Sequence, residues 1–152
     1  MTAAFERVIP MPNDTLIVVH DGAAFEVAPF RSEPDDTPAT DGWAAAARDA
    51  RLRDFTVNAL FCDPTTHTLL DYVGGRADLE AGVLRACGDP AARLRADALR
   101  CVRAARFAAS LGLAIDDDTA RAVREVAPEC VPPGKRWLQW VRGSGLGDTL
   151  GN

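Results

Sequence analysis

Two short strand-like runs of mostly apolar residues lie near the start of the chain. The runs, residues 15–20 and 23–30, flank Asp21-Gly22, a dipeptide that favours the two-residue turn of a β-hairpin. This pattern predicts an antiparallel hairpin.

The second run of the hairpin carries one carboxylate. Phe25 and Val27 share a face of the predicted strand, which we expect to be half-buried, and Glu26 points to the other face. Glu26 is a candidate metal-binding carboxylate, although an acid on the solvent face is the commoner explanation by spacing alone.

Farther along, the chain has the pattern of mixed helices and strands. Helix-forming residues occupy 43–52, and residues 55–62 are typical of a strand. A short return strand begins at Leu69, and a glycine pair at 74–75 interrupts the chain before a helical segment at 78–84. These elements are all short.

From Asp89 onward the hydrophobic period becomes helical. Asp89 is a favourable N-cap, and an apolar stripe at helical spacing predicts one helix that ends near Gly112. A second helix, capped by Asp116 and running to Pro128, would complete a helical hairpin. The members of the stripe are Leu94, Ala98, Val102, Ala105 and Ala109.

Together these elements predict an α+β fold in which a small sheet region precedes a helical region. We expect a head at residues 1–76 and a helical neck at 77–128. Residues 129–152 contain many helix breakers and no sustained period, so we expect an irregular tail there.

The charge balance argues against a protein that coats nucleic acid through net positive charge. The chain has 17 Lys and Arg against 22 Asp and Glu, a net charge of −5. Five arginines nevertheless fall within residues 93–106, where Asp97 is the only acid. Arginine is suited to phosphates and base edges, so this cluster predicts a focused anion-binding site. Its arginines are Arg93, Arg95, Arg100, Arg103 and Arg106.

The cysteines and the lengths of the apolar runs indicate which cellular compartment to expect. Four cysteines without a C-x-x-C pair, together with two histidines, argue against structural zinc. The sequence has no run of 18 apolar residues, so we expect a cytoplasmic protein with reduced thiols that does not enter a membrane.

Asp97 and Arg100 form the most specific candidate pair. A helix would place them on one face, where the carboxylate can accept from the exocyclic amine of cytosine or adenine while the guanidinium donates to the ring nitrogen beside it. Uracil and guanine carry a carbonyl where the amine would be, so the pair would select C and A. Taken alone, an exposed helical ion pair is the commoner explanation.

Arg53 and Asp54 are a second candidate pair, just before a predicted strand. They could hold a ribose or a phosphate, but spacing alone favours a structural salt bridge.

Several ordered segments resemble the bacterial tRNA nucleotidyltransferase and poly(A) polymerase family, whose members extend RNA 3′ ends without a nucleic-acid template. The resemblance covers residues 15–128. Its matching segments are 24–27 with 30–31, then 53–59, 71–76 and 95–107.

The resemblance implies a partial nucleotidyltransferase sheet followed by a nucleotide-selecting neck. It implies Mg²⁺ as the cofactor, with Glu26 as a catalytic and metal-binding carboxylate, and the tRNA 3′ end, CTP and ATP as partners. It places Asp97 and Arg100 as the amino-acid template for the incoming base. The implied nucleotide-binding residues are Arg53, Asp54, Asp97, Arg100, Arg103 and Arg106.

The departures from the family pattern shape the functional hypothesis. Ala96 stands where the family has an acid, and Leu52 where it has an arginine. The family's Gly-Gly-x-Val-Arg-Asp segment and its paired metal-binding aspartates precede the first hairpin and have no counterpart here, so we expect the core of a CCA-adding enzyme that is inactive alone. The alternatives are the poly(A) polymerase branch, a non-catalytic nucleotide- or RNA-binding remnant, and half of a split enzyme whose N-terminal segment comes from a separate chain.

Overall fold

The computed structural model describes residues 5–12 and 14–130. The strands are β1 (Arg7–Pro10), β2 (Leu16–His20), β3 (Ala23–Val27), β4 (Leu60–Cys62), β5 (Leu69–Asp71), β6 (Val83–Leu84) and β7 (Ala114–Ile115). The α-helices are α1 (Gly42–Leu52), α2 (Gly75–Glu80), α3 (Pro90–Arg95), α4 (Leu99–Leu111) and α5 (Asp117–Cys130). A short 3₁₀ helix spans Thr56–Asn58.

These elements fall into two compact units, one ending at Arg48 and one beginning at Asp49. The first unit holds a three-stranded antiparallel sheet in the order β1-β2-β3. The second holds the antiparallel pair β4-β5, the parallel pair β6-β7 and helices α2 to α5. Small sheets followed by helices confirm the predicted α+β class.

The predicted hairpin is confirmed. His20 pairs with Ala23, which leaves Asp21 and Gly22 as a two-residue turn with φ of 50° and 72°. Positive φ at both positions is what the tight hairpin turn requires. The sequence analysis missed β1, because its short run offers only Val8 and Ile9 as a pattern.

The expectation that β3 is half-buried is wrong. Phe25 and Val27 are 53% and 51% exposed. Within the described part of the chain the strand lies at the edge of its sheet and pairs with β2, whose Val18 is buried.

The core of the second unit joins short strands to helices. Phe55 and Leu84 are fully buried and pack with Ala104 of α4. A neighbouring cluster joins α3, α4 and α5. Its buried members are Leu94, Cys101, Ala122 and Val126.

Residues 55–62 do not form one strand, which corrects the prediction. Phe55 makes an isolated antiparallel bridge to Ala86, the 3₁₀ helix follows, and β4 begins at Leu60. The Thr56 N–H donates to Arg85 O at 2.9 Å, beside the bridge that Phe55 makes to Ala86.

The helix predicted at residues 78–84 begins earlier and is shorter than expected. It is α2, which starts at Gly75 and gives way after Gly82 to β6. Gly82 has a φ of 69°, a conformation that ends a helix readily.

The long helix predicted from Asp89 to Gly112 is divided in two. Asp89 caps α3 as expected, since its Oδ1 accepts from the Ala92 N–H at 2.6 Å. The helix stops at Arg95, and just before α4 the Oδ1 of Asp97 accepts from the Leu99 N–H two residues ahead at 3.0 Å.

The predicted apolar stripe is therefore wrong in its second half. Ala105 and Ala109 are exposed, and Val102 is half-buried. Because α4 starts afresh at Leu99, its buried face is set by Cys101 and Ala104.

The second predicted helix is α5, and its Val123 packs against the core cluster that includes Ala104. Asp116 precedes it, with Oδ2 accepting from the Thr119 N–H at 3.3 Å, and β7 lies between α4 and α5. Pro128 lies inside α5 and does not end it. Most of the predicted tail, residues 131–152, lies outside the described residues.

Candidate functional site

A buried carboxylate lies at the centre of the candidate site. Asp54 is 6% exposed, and its Oδ1 accepts from the Phe55 N–H at 2.9 Å and from Asn58 Nδ2 at 3.2 Å. Its Oδ2 accepts from Nε and Nη2 of Arg103, both at 2.7 Å. Both oxygens are thus satisfied by the protein, and Asp54 fixes an arginine that α4 contributes.

The environment of Asp54 favours its ionised form. Burial by itself raises the pKa of the carboxyl, but the hydrogen bonds from Asn58, the Phe55 N–H and Arg103, with the charge of Arg103, outweigh it. The pKa of Asp54 therefore lies below its ordinary value of 3.8.

Arg53 has a different partner from its neighbour Asp54. Its Nε donates to Oδ1 of the buried Asp49 at 2.6 Å, and its guanidinium lies 5.1 Å from the ring centre of Phe61. The adjacent pair predicted from the sequence is therefore neither a mutual salt bridge nor a joint ribose contact in this structure. Each residue belongs to a separate ion pair.

Arg103 and a second arginine of α4, Arg106, both lie over one aromatic ring of the same helix. The guanidinium carbons of Arg103 and Arg106 lie 5.3 Å and 4.7 Å from the ring centre of Phe107. The Arg103 side chain remains 40% exposed despite its ion pair with Asp54. Such a rigidly held and partly exposed guanidinium can still receive an anion.

Asp97 and Arg100 are brought close by the turn between α3 and α4, not by one continuous helix. Asp97 is exposed, and its main-chain oxygen accepts from the Arg100 N–H at 3.0 Å. Nη1 of Arg100 donates to Arg93 O at 2.7 Å. The surface ion pair considered from the sequence is replaced by a contact of the Asp97 carboxylate with the Leu99 N–H and by a guanidinium bound to a carbonyl.

Both members of this pair keep capacity for a ligand. Among the described residues, Oδ2 of Asp97 and the Nε and Nη2 donors of Arg100 have no hydrogen-bond partner. One acceptor beside a donor group is the arrangement that the edge of cytosine or adenine requires.

Arg93 has a role that sequence reasoning missed. Its Nη2 donates to Arg51 O at 2.7 Å, its Nη1 to Leu52 O at 3.1 Å and its Nε to Cys87 O at 3.4 Å. Arg93 therefore caps the last carbonyls of α1. In the sequence it was only a member of the arginine cluster, because nothing local shows which carbonyls it reaches.

The thiol next to this contact is inert. Burial raises the pKa of Cys87 to about 11, against the opposing charge of Arg93. The Cys87 N–H donates to Asp54 O at 3.0 Å, so this segment also supports the turn that carries Asp54. At neutral pH the thiol is protonated and serves packing.

The segment at 71–76 is a structural loop in this molecule. Oδ1 of Asp71 accepts from the N–H groups of Val73, Gly74 and Gly75 at 2.8–3.1 Å, and Oδ2 accepts from that of Arg76 at 2.9 Å. Desolvation raises the pKa of Asp71, but these four donors lower it below its ordinary value. The loop is thereby fixed at the start of α2.

Glu26 belongs to the first unit. It is exposed on β3 and pairs across the sheet with Ile17. Within residues 5–12 and 14–130 no group of three or more His, Cys, Asp or Glu side chains is arranged to hold a metal ion. The described residues therefore do not fit a magnesium site, since two-metal chemistry needs several bridging carboxylates.

No helix among the described residues is long and apolar enough to cross a membrane.

An arginine cluster on the helices of a mixed α+β fold is suited to phosphate-bearing ligands such as nucleotides. The family model described as the Poly A polymerase head domain matches residues 6–85, more than half of the chain. The chain therefore belongs to this family of nucleotidyltransferases, which confirms the resemblance found in the sequence. Such enzymes generally use a divalent metal ion.

Curated relatives come from both branches of the family. Poly(A) polymerase I of Escherichia coli O157:H7 is 44% identical over 89 residues, which is 57% of this chain and 19% of that protein. The CCA-adding enzyme of Bacillus pumilus is 35% identical over 128 residues, covering 80% of this chain and 32% of the relative. The chain thus spans about a third or less of the length of these relatives.

Solved structures agree with the sequence relatives. The CCA-adding enzyme of Bacillus stearothermophilus in complex with CTP has a TM-score of 0.72 and 36% identity. The match covers 84% of this chain and 31% of that enzyme. A second CCA-adding enzyme, in a structure with CTP, has a TM-score of 0.68 at 26% identity and covers 81% of this chain and 29% of the other.

Proposed function

We propose that this chain is the nucleotide-selecting core of a CCA-adding tRNA nucleotidyltransferase, which adds CMP and AMP to tRNA 3′ ends without a nucleic-acid template. The observation that carries the proposal is a row of arginines at three-residue spacing on α4. Along that helix each of Arg100, Arg103 and Arg106 is the i, i+3 neighbour of the next, and each guanidinium has a defined contact. Asp97 begins the row with an exposed carboxylate.

The division of labour follows from the chemistry of each group. Asp97 accepts from the exocyclic amine of cytosine or adenine, and Arg100 donates to the adjacent ring nitrogen. Arg103 and Arg106, together with Arg53, supply positive charge for the triphosphate. Asp54 belongs to the nucleotide-binding group because it holds Arg103 in place.

The proposal keeps the division into a head at residues 1–76 and a neck at 77–128. The proposal assigns Glu26 as one catalytic and metal-binding carboxylate of the head, a set that the described residues do not complete. Mg²⁺ at Glu26 would need further carboxylates from outside the described residues, and a separate chain is one possible source. The substrates are CTP, ATP and the tRNA 3′ end, and the compartment is the cytoplasm.

The poly(A) polymerase branch is the second candidate. Its support is the match to Poly(A) polymerase I, 44% identical over 89 residues, beside the match to a CCA-adding enzyme, 35% identical over 128 residues. On this alternative the same pair would select ATP alone.

Replacing Asp97 with serine tests the base contact while keeping a side-chain acceptor for the Leu99 N–H. A serine hydroxyl can still accept from that N–H but is too short to reach a base edge, so we expect the preference for CTP and ATP to be lost. The expected loss is about 1–3 kcal/mol, the size of one good base contact. The measurement is calorimetric titration of CTP, ATP, UTP and GTP into the unmodified and the variant chains.

Asp117→Ser serves as the matched control, because Asp117 is exposed at the start of another helix of the same unit. It should leave the preference unchanged. A preference for ATP alone would favour the poly(A) polymerase branch. Equal affinity for all four nucleotides in the unmodified chain, or a preference that survives in Asp97→Ser, would contradict the proposal and leave a non-selective nucleotide- or RNA-binding protein.

A further inference from the structure

The geometry points to Arg93 as a positioning residue that determines where Arg100 reaches, and thereby the base preference of the chain. The main-chain carbonyl of Arg93 accepts a hydrogen bond from the guanidinium of Arg100. The side chain of Arg93 in turn binds main-chain carbonyls at the end of α1. This inference rests on the proposed function, since the role of Arg100 in base selection is part of that proposal.

The first link joins Arg100 to the end of α3. In a regular helix the Asp97 N–H would donate to Arg93 O, but it donates to Leu94 O at 3.3 Å instead. Arg93 O therefore lacks its usual main-chain donor at the end of α3. Nη1 of Arg100 donates to it instead, at 2.7 Å. The direction of the Arg100 side chain is set by the position of this oxygen.

The second link joins α3 to the end of α1. The Arg93 guanidinium donates to two successive carbonyls there, those of Arg51 and Leu52, and to Cys87 O in the intervening segment. A planar fork can hold diverging acceptors at once, whereas a flexible ammonium cannot fix them in one geometry. Arg93 is thus tied at both its side chain and its main chain.

These links also place two arginines of the proposed site relative to each other. Arg53 directly follows the carbonyls that Arg93 caps, and Arg100 is bound to the carbonyl of Arg93 itself. The guanidinium of Arg100 has five N–H donors and uses one of them in this contact, so the others can donate to a base. A base contact requires this side chain to stay in one orientation.

Arg93→Met is the direct test, because methionine keeps an unbranched apolar stem and removes every donor. With the complete chain, the ratio of affinities for CTP and ATP over UTP and GTP should fall from about tenfold to about twofold or less. Affinity for inorganic tripolyphosphate should change less than twofold, because Arg103 and Arg106 keep their own contacts.

Arg95→Met is the matched control. Arg95 lies on the same helix, is exposed and pairs with Glu125 of α5. The variant loses the same charge but should keep the base preference. Thermal melting of both variants establishes that each is folded at the assay temperature. If Arg93→Met is unfolded at that temperature, Arg93→Lys replaces it in the comparison, and we expect a smaller loss of preference.

A second substitution separates positioning from simple stability. Ala96 is exposed and lies four residues before Arg100, and Ala96 and Ala98 both keep right-handed helical dihedrals at the junction of α3 and α4. Ala96→Glu therefore offers a carboxylate that can hold the guanidinium in place of the carbonyl. Added to Arg93→Met, it should restore at least half of the lost preference without restoring the melting temperature. A purely structural role for Arg93 would not give this result.

The outcomes distinguish this inference from the proposed function. If the unmodified chain shows no base preference, the proposed function fails and the inference with it. If the unmodified chain prefers CTP and ATP, and folded Arg93→Met keeps that preference, only the inference is overturned. Loss of preference in Arg93→Met and in Arg95→Met alike would also overturn it, since a general charge effect would then suffice.

Discussion

Replacing Gly75 with alanine should destabilise the second unit by about 3 kcal/mol, the upper range for overpacking of a buried position. A Cβ at Gly75 would lie 2.0 Å from the main-chain oxygen of Thr56 and 2.7 Å from its carbonyl carbon. Neither atom belongs to a flexible side chain, so the 3₁₀ helix or the start of α2 has to move. Urea unfolding followed by circular dichroism measures the loss.

Gly42→Ala provides the comparison for this substitution. A Cβ at Gly42 has no heavy atom within 4 Å among those considered, and the residue starts α1. Its stability should stay the same or rise slightly, because alanine favours a helix over glycine. If Gly75→Ala instead unfolds within about 0.5 kcal/mol of the unmodified chain, the approach of Thr56 is not a tight constraint.

This close approach connects two segments that were recognised separately in the sequence. Thr56 follows Asp54 and Phe55, and Gly75 ends the loop that Asp71 fixes through four N–H donors. Thr56 Oγ1 also donates to Asp78 of α2 at 2.7 Å. The segment at 71–76 therefore supports the turn that presents Asp54.

The parts of the fold predicted correctly were those with a local cause. Asp21-Gly22 specifies a tight turn through the backbone freedom of two adjacent residues. Asp89 caps a helix through an N–H three residues ahead. Both signals are complete within a few residues, so no knowledge of tertiary packing was needed.

The division between α3 and α4 shows where local reasoning failed. The apolar period continues through residues 96–98, so it predicted one helix. Asp97 instead turns its carboxylate to the Leu99 N–H, and the docking of Arg93 on α1 fixes α3 independently of α4. The competing contact lies about 40 residues away in the sequence, beyond the reach of periodicity.

In the candidate site, too, the residues could be predicted from the sequence but their contact partners could not. The arginine cluster and its resemblance identified Arg103 and Asp54 as candidates. They did not reveal that these residues, 49 positions apart, form the central ion pair. Adjacent charges suggested that Arg53 was the partner of Asp54, but Arg53 pairs with the buried Asp49.

Removing the carboxylate of Asp54 should have the largest effect of any single substitution in the site. Asp54→Ala leaves the Phe55 N–H, Asn58 and Arg103 without their acceptor, and the expected loss of unfolding free energy is about 3–5 kcal/mol. Asp54→Asn keeps the size of the side chain and one acceptor, so it should cost less at pH 7. Urea unfolding at pH 7 ranks the two variants.

The cost of Asp54→Asn should also depend on pH, with a sign fixed by the direction of the pKa shift. The carboxyl has a lower pKa in the folded chain than its ordinary value of 3.8, so its ionised form stabilises the fold at pH values above 3.8. This stabilisation is lost as the pH falls through the folded-state pKa. The difference in unfolding free energy between the unmodified chain and Asp54→Asn should therefore shrink from pH 7 to pH 3. Asp117→Asn, an exposed substitution in the same unit, should differ from the unmodified chain by about 0.5 kcal/mol or less at both pH values. A difference for Asp54→Asn that stays constant over this range would show that the charge of Asp54 does not stabilise the ion pair with Arg103.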